Sequence, residues 1–202
     1  GLVSPKEALI VFGVLLILGL MLVAFTNLKT ILLAPIAALL AMIYPFTKRF
    51  ISFPQVVLGI AFAWAIPMVY TASGMKLSWS CWLLFLGTIS WAVAYDTEYA
   101  MADKKDDLKI GVKSTAILFG EYDKLWIATC HFLMLSLITT VGMIAHRGSI
   151  FYLGVFIALC LALYQQWMIR NDDPEQCFKA FLNNNWLGLM LFVGTVIDFY
   201  LM

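Results

Sequence analysis

The chain has 202 residues, of which 63% are hydrophobic and only 12% are charged, and its formal net charge is +1. Soluble domains carry roughly a quarter of charged residues, so this composition excludes an ordinary soluble domain and indicates an integral membrane protein. The net charge gives no reason to expect a nucleic-acid partner, and none is predicted.

Seven uncharged runs are each long enough to cross a bilayer, which takes about 20 mostly apolar residues. They predict an all-α fold, a polytopic transmembrane helical bundle with seven spans. In chain order the runs are 8–25, 30–47, 50–75, 77–95, 125–145, 148–169 and 180–197.

The basic residues are distributed unevenly between the two predicted sides. If all seven runs cross, the side of the N-terminus holds ten Lys and Arg residues and the other side holds three: Lys29, Lys76 and Arg147. Cytoplasmic loops carry the excess of Lys and Arg, so the N-terminus and the charged loops are predicted to face the cytoplasm. Eleven of the twelve acidic residues also lie on that side, with Asp198 as the exception. A cytoplasmic, metal-dependent active surface would account for this second asymmetry.

The stretch YDTEYAMADKKDDLKIGVKS, residues 95–114, concentrates five carboxylates and four lysines within eighteen residues. If the fourth span continues as a helix, Tyr99, Asp103 and Asp107 lie at about −60°, −20° and +20° from Asp96. We call these four side chains the carboxylate stripe. Aligned carboxylates repel one another on a bare helix, so the stripe predicts a positively charged ligand.

Mg²⁺ is the ion that fits this pattern, because it binds one or two carboxylates together with waters and substrate phosphates. We predict Asp103 and Asp107 as its ligands, with a diphosphate as the shared substrate group. Lys113, in the segment Gly111–Ser114, is a candidate cation for the phosphate oxygens. A solvated polar loop is the alternative interpretation of the whole stretch.

The segment YPFTKRF, residues 44–50, ends the second span with two cations. Lys48 and Arg49 are either ordinary membrane anchors or a clamp for a diphosphate or a carboxylate, for which Arg offers a planar fork. We predict both as substrate-binding residues, together with Tyr99 of the stripe.

The stretch AVAYDTEYAMADKKDDLKIGVKSTAILFG resembles the second aspartate-rich motif of the UbiA-type intramembrane prenyltransferases, most closely the bacterial 4-hydroxybenzoate polyprenyltransferases of ubiquinone biosynthesis. YPFTKRF, PQVVLG and CFKAFLNNNWLGL resemble the same family, and the likeness covers nearly all of the chain. The family has nine transmembrane helices and two facing aspartate motifs. The first motif, N-D-x-x-D-x-x-x-D, is absent here. Residues 1–202 are therefore expected to form a single prenyltransferase domain that lacks about two N-terminal helices of the family. This chain alone is expected to be inactive.

The resemblance implies a Mg²⁺-dependent enzyme of the bacterial inner membrane whose active site faces the cytoplasm. Its substrates would be a polyprenyl diphosphate and 4-hydroxybenzoate, which is alkylated ortho to its hydroxyl. Asp103 and Asp107 would act through the metal, and Asp96 would help to remove a proton. Another aromatic acceptor, a membrane transporter and an inactive fragment are the alternatives.

Overall fold

A computed structural model describes residues 4–202, and all regular secondary structure in this range is helical. Side-chain caps begin several helices: Ser4 forms a capping box with Glu7, and Asn27, Ser114 and Asp173 cap the helices that follow them. Such caps satisfy backbone N–H groups that have no partner inside the helix. The helices are α1 (Pro5–Ala24), α2 (Leu28–Phe50), α3 (Pro54–Ala63), α4 (Ala65–Ala72), α5 (Trp79–Ile110), α6 (Thr115–Phe119), α7 (Asp123–Ile144), α8 (Ser149–Ile169) and α9 (Pro174–Leu201), with one 3-10 turn at Gly120–Tyr122.

The predicted fold class, an all-α polytopic bundle, is confirmed. Six helical segments are long and apolar enough to cross a membrane: Pro5–Ala24, Leu28–Phe50, Pro54–Ala72, Thr115–Ile144, Ser149–Ile169 and Pro174–Leu201. The remaining predicted span, 77–95, is the first half of α5. That half lies at the centre of the bundle, where α5 packs against α3, α7 and α9.

The predicted span 50–75 is one crossing made of two helices. α3 ends at Ala63 and α4 begins at Ala65, with Pro67 two residues further along. Proline lacks an N–H group, and its ring clashes with the carbonyl four residues earlier, so the break at Trp64 has a local cause. The Trp64 indole N–H donates to the Leu33 carbonyl at 3.1 Å, which ties the break to α2.

Because successive helices cross in opposite directions, their ends lie at two opposite ends of the bundle. We call the end that contains Lys48, Lys113, Lys124 and Asp172 the charged end. There the Lys113 amide donates to the Lys48 carbonyl at 3.1 Å, and Lys124 pairs with Asp172 at 2.7 Å. The first contact joins α2 to the α5–α6 connection, and the second joins the beginning of α7 to the α8–α9 turn. At the opposite end, the Asn27 side chain donates to the carbonyl of Thr71.

The acidic residue predicted alone on the opposite side has a structural role. Asp198 is 2% exposed, and its two carboxylate oxygens accept the backbone N–H groups of Gly148 at 3.0 Å and Phe151 at 3.2 Å. Both amides belong to the beginning of α8 and have no partner inside that helix. Asp198 of α9 therefore caps α8 from a neighbouring helix.

Candidate functional site

The carboxylate stripe lies on one continuous helix, as the sequence predicts. α5 runs from Trp79 to Ile110 and ends at Gly111, whose φ of 71° lies in the left-handed region that favours glycine. Asp96, Asp103 and Asp107 therefore share one face of α5. The helix carries them beyond its apolar first half to the charged end of the bundle.

The stripe residues interact with one another. The Tyr99 hydroxyl lies within electrostatic range of the carboxylates of Asp103, Asp96 and Asp107, and Asp103 has the largest effect on it. Asp96 is buried, whereas Asp103 and Asp107 are partly exposed. Asp106 points away: its side chain is 81% exposed and pairs with Lys109 at 2.8 Å.

Two side chains of α2 lie within electrostatic range of the stripe. Lys48 acts electrostatically on both Asp96 and Asp107. Burial raises the pKa of Asp107 above its ordinary value, while Lys48 opposes that rise. Tyr44, one helical turn before Lys48, is half-buried and within electrostatic range of Asp96. Sequence reasoning missed Tyr44, although its spacing of four residues from Lys48 places the two on one face of α2.

The other two predicted cations occupy different positions. Arg49 is exposed at the end of α2, and within residues 4–202 it takes part in no ion pair. Lys113 is also exposed, and its ammonium donates to the Phe50 carbonyl at 3.1 Å. Lys113 therefore lies beside the end of α2 that carries Lys48, and one of its three N–H donors is already used.

The segment after α5 is fixed by buried polar contacts. The Thr115 amide donates to the Gln55 side-chain oxygen at 3.1 Å, and the Thr115 and Thr97 hydroxyls lie 2.7 Å apart. Gln55, Thr97 and Thr115 are all fully buried. These bonds hold the segment 111–115 between α3 and α5, next to the stripe.

Lys104, one of the four lysines in the charged stretch, serves the fold. Its ammonium pairs with the buried carboxylate of Asp123 at 2.9 Å and donates to the Gly120 carbonyl at 3.1 Å. These contacts tie α5 to the beginning of α7. Lys104 therefore stabilises the helix that carries the stripe.

A cavity of about 450 Å³ lies between α5 and α9, beside the apolar first half of α5. Aromatic side chains connect it to the stripe: Trp91 contacts Tyr95 at 6.1 Å between ring centroids, Tyr95 contacts Phe181 at 6.1 Å, and Phe181 contacts Tyr99 at 5.2 Å. We call these four residues the aromatic wall. Such a wall can bind an apolar chain, and its ring faces can stabilise a cation.

The asparagine run 183–185 contributes to both structure and cavity. The Asn183 side-chain oxygen accepts a bond from Gln165 of α8 at 3.1 Å, and Asn184 bonds to side chains of α5. Asn184 and Asn185 also line the cavity. The run therefore both joins neighbouring helices and lines the cavity.

The stripe suits a metal that is shared with a substrate. Across residues 4–202, no cluster of three or more His, Cys, Asp or Glu side chains could hold a metal by itself. Asp103 and Asp107, one turn apart on the same helix face, offer two carboxylates with open surroundings. Mg²⁺ commonly takes one or two carboxylates and completes its shell with waters and phosphate oxygens, so this oxygen donor set fits Mg²⁺.

Residues 1–192 match the UbiA prenyltransferase family. The chain belongs to this family. Among curated relatives, the 4-hydroxybenzoate octaprenyltransferase of Cronobacter sakazakii is 50% identical over 199 residues, covering 98% of this chain and 69% of the relative. The protein of that name from Pseudomonas putida is 50% identical over 202 residues, covering 100% and 68%.

Two solved structures share the fold of this UbiA-family chain. A UbiA homolog from Aeropyrum pernix K1 superposes with a TM-score of 0.85 at 21% identity, over 98% of this chain and 74% of that one. A digeranylgeranylglyceryl phosphate synthase superposes with a TM-score of 0.72 at 19% identity, over 97% and 70%. The chain is thus a multi-pass membrane protein of a prenyltransferase family, which favours the predicted enzyme over a transporter.

Proposed function

We propose that this UbiA-family chain transfers a polyprenyl group from polyprenyl diphosphate to the ring of 4-hydroxybenzoate, ortho to the hydroxyl, in ubiquinone biosynthesis. The supporting observation is the carboxylate stripe, which lies within electrostatic range of Lys48 and is connected by the aromatic wall to the cavity between α5 and α9. Relatives about half identical in sequence, named 4-hydroxybenzoate octaprenyltransferases, support the choice of acceptor.

The diphosphate of the donor binds at the charged end. Asp103 and Asp107 would hold Mg²⁺, and Lys48, Arg49 and Lys113 would supply positive charge to the phosphate oxygens. A Mg²⁺ ion bound there would neutralise the diphosphate and make it a better leaving group. Tyr99, on the same face of α5, would contact the bound diphosphate through its hydroxyl.

The apolar chain of the donor lies along the aromatic wall. The bond between C1 and the bridging oxygen breaks, and its electron pair leaves with the diphosphate. The ring carbon ortho to the phenol oxygen then forms the new C–C bond. The ring proton passes to Asp96, directly or through a water, which restores the aromatic ring. Asp96 is buried, at 8% exposure, so it would act away from bulk water.

This arrangement suits an amphipathic substrate, with an apolar prenyl tail and a charged diphosphate head. The donor's tail stays in the bilayer while its head reaches the charged end of the bundle. With the predicted topology, that end faces the cytoplasm, and the membrane is the bacterial inner membrane. The soluble acceptor would then enter from the cytoplasm.

The test is reconstitution of the purified full-length protein in lipid nanodiscs, with residues 1–202 alone as the comparison that is expected to be inactive. Octaprenyl diphosphate, 4-hydroxybenzoate and Mg²⁺ should yield prenylated 4-hydroxybenzoate and free diphosphate, and EDTA should abolish both. Parallel reactions contain a dihydroxynaphthoate or homogentisate instead. A preference for either of these would overturn the acceptor assignment. Release of prenylated product in EDTA without added Mg²⁺ would overturn the metal assignment.

A further inference from the structure

The face of α5 opposite the stripe carries a further acidic residue, which the proposed function does not use. Glu98 is fully buried, and it lies about 200° around the helix from Asp96. Its side chain therefore points away from the proposed Mg²⁺ site and towards α9. Acidic groups inside a membrane bundle are costly and usually have a specific partner.

That partner is Asn184 of α9, which links Glu98 to the cavity. The Asn184 amide nitrogen donates to Glu98 Oε2 at 2.8 Å, and the Asn184 side-chain oxygen accepts the indole N–H of Trp91 at 2.8 Å. An indole nitrogen can only donate, so the Asn184 oxygen must face Trp91 and its amide nitrogen must face Glu98. Glu98 thus fixes the orientation of the amide that holds Trp91.

The Trp91 ring is held at two further points. Its edge meets Tyr95, with ring planes at 89° to each other. Its far corner lies over Gly188 of α9, where an added Cβ would be 2.5 Å from Cη2. Glycine is an unfavourable residue inside a helix, and here its bare backbone makes room for the indole. The ring also lines the cavity.

We propose that Glu98 and Asn184 are a positioning pair that fixes Trp91 as a rigid side of the cavity for the first isoprene units of the donor. This inference rests on the proposed function. Trp91 lies about 7.5 Å along the α5 axis from Asp96 and about 18 Å from Asp103. Trp91 also lies about 140° around α5 from Asp96, and the aromatic wall, through Tyr95, Phe181 and Tyr99, connects its face with the stripe. A donor chain along this wall would meet Trp91 beyond the reacting carbon. A Trp91 ring held in place by hydrogen bonds from neighbouring side chains positions a ligand more precisely than a mobile side chain would.

The first test compares donors of different length in the membrane-embedded protein. A 10-carbon chain has its whole length inside the cavity, so it loses a larger share of its contacts than a 40-carbon chain when the wall moves. Trp91→Phe and Asn184→Ala should each lower the ratio of kcat/KM for the 10-carbon donor to that for the 40-carbon donor about threefold or more. This ratio does not depend on the amount of folded protein.

Two variants serve as comparisons. Glu98→Gln keeps an acceptor oxygen for Asn184 and should leave the ratio unchanged, whereas Glu98→Leu should lower it. Trp64→Phe is the matched control, because the Trp64 indole also donates a bond, to Leu33, and packs edge-on against Phe85 but does not line this cavity. Equal losses for both donors in Trp91→Phe and Asn184→Ala, or the same shift in Trp64→Phe, would overturn the proposal.

A binding measurement separates this inference from the proposed function. A prenyl thiodiphosphate, which resists ionisation of its C1–S bond, should change tryptophan fluorescence in the wild type and in Trp64→Phe, and much less in Trp91→Phe. Equal changes in all three proteins would refute the role of Trp91. The expected pattern combined with no transfer to 4-hydroxybenzoate would instead refute the proposed function alone.

Discussion

Neighbouring aspartates at the end of α5 offer a direct test of the metal site. Asp107 belongs to the carboxylate stripe and lies near Lys48, whereas Asp106 points away and pairs with Lys109. Asp107→Asn and Asp106→Asn make the same chemical change on adjacent residues. Asn keeps the size of the side chain and one acceptor oxygen but removes the negative charge.

The expected losses differ because the surroundings differ. Two unit charges about 4 Å apart interact by about 4 kcal/mol at an effective dielectric constant of 20. Allowing for partial compensation by water, removal of the Asp107 charge should cost about 2–4 kcal/mol, or about 30- to 900-fold in kcat/KM. The Asp106 side chain is 81% exposed, and an exposed ion pair contributes about 0–1 kcal/mol. Its loss should reduce kcat/KM about fivefold or less.

The assay measures prenyl transfer in nanodiscs over a range of Mg²⁺ concentrations. Asp107→Asn should also raise the Mg²⁺ concentration required for half-maximal rate, and Asp106→Asn should not. Thermal unfolding of both variants in the same nanodiscs controls for misfolding. Equal loss of activity in the two variants would refute a metal site on one face of the helix.

Four further results are expected. Arg49→Lys keeps the charge but loses the planar fork, so it should not support normal kinetics; wild-type rates would show that Arg49 only anchors the helix. Asp198→Ala should lower the free energy of unfolding by about 2–4 kcal/mol, since two backbone N–H groups of α8 lose their partner, and Asp198→Asn should lower it by about half as much. Equal thermal stability of the two variants in nanodiscs would contradict the capping role. A membrane-impermeant maleimide applied to intact cells should label a cysteine at Ser149 and not one at Lys109, and the reverse pattern would refute the topology. Because Asp107 must be ionised to hold a cation and burial raises its pKa, activity should fall as pH decreases through that raised pKa, and Asp107→Asn should lack this step in its pH–rate profile.

The carboxylate stripe could be predicted from sequence because it depends on helical geometry alone. At 100° per residue, the spacing of Asp96, Tyr99, Asp103 and Asp107 defines one face, provided that the helix continues past the apolar run. α5 does continue, to Ile110. The positions of the spans were predictable for a similar reason, because bilayer thickness sets the length of each apolar run.

The partners that come from other helices could not be predicted in this way. Nothing in the sequence near Lys104 indicates that its ammonium pairs with Asp123, since that contact depends on how α5 meets α7. The same is true of Asp198, which caps a helix that begins fifty residues earlier. The bonds from Trp91 and Glu98 to Asn184 join residues about ninety positions apart. Such contacts follow from packing, which a single sequence does not report.

The length of α5 explains how the proposed metal site and the cavity keep a fixed geometry. A helix rises 1.5 Å per residue, so Trp91 and Asp107 lie about 24 Å apart along one axis, with no loop between them that could change the distance. α5 is held at the charged end by Lys104 and beside the cavity by Asn184. The two faces of α5 thus have different roles. In the proposed function, one face would present carboxylates to the metal and diphosphate, and the other packs against α9 through Asn184. The depth at which a prenyl chain would meet Trp91 is then set by the rise per residue of a single helix.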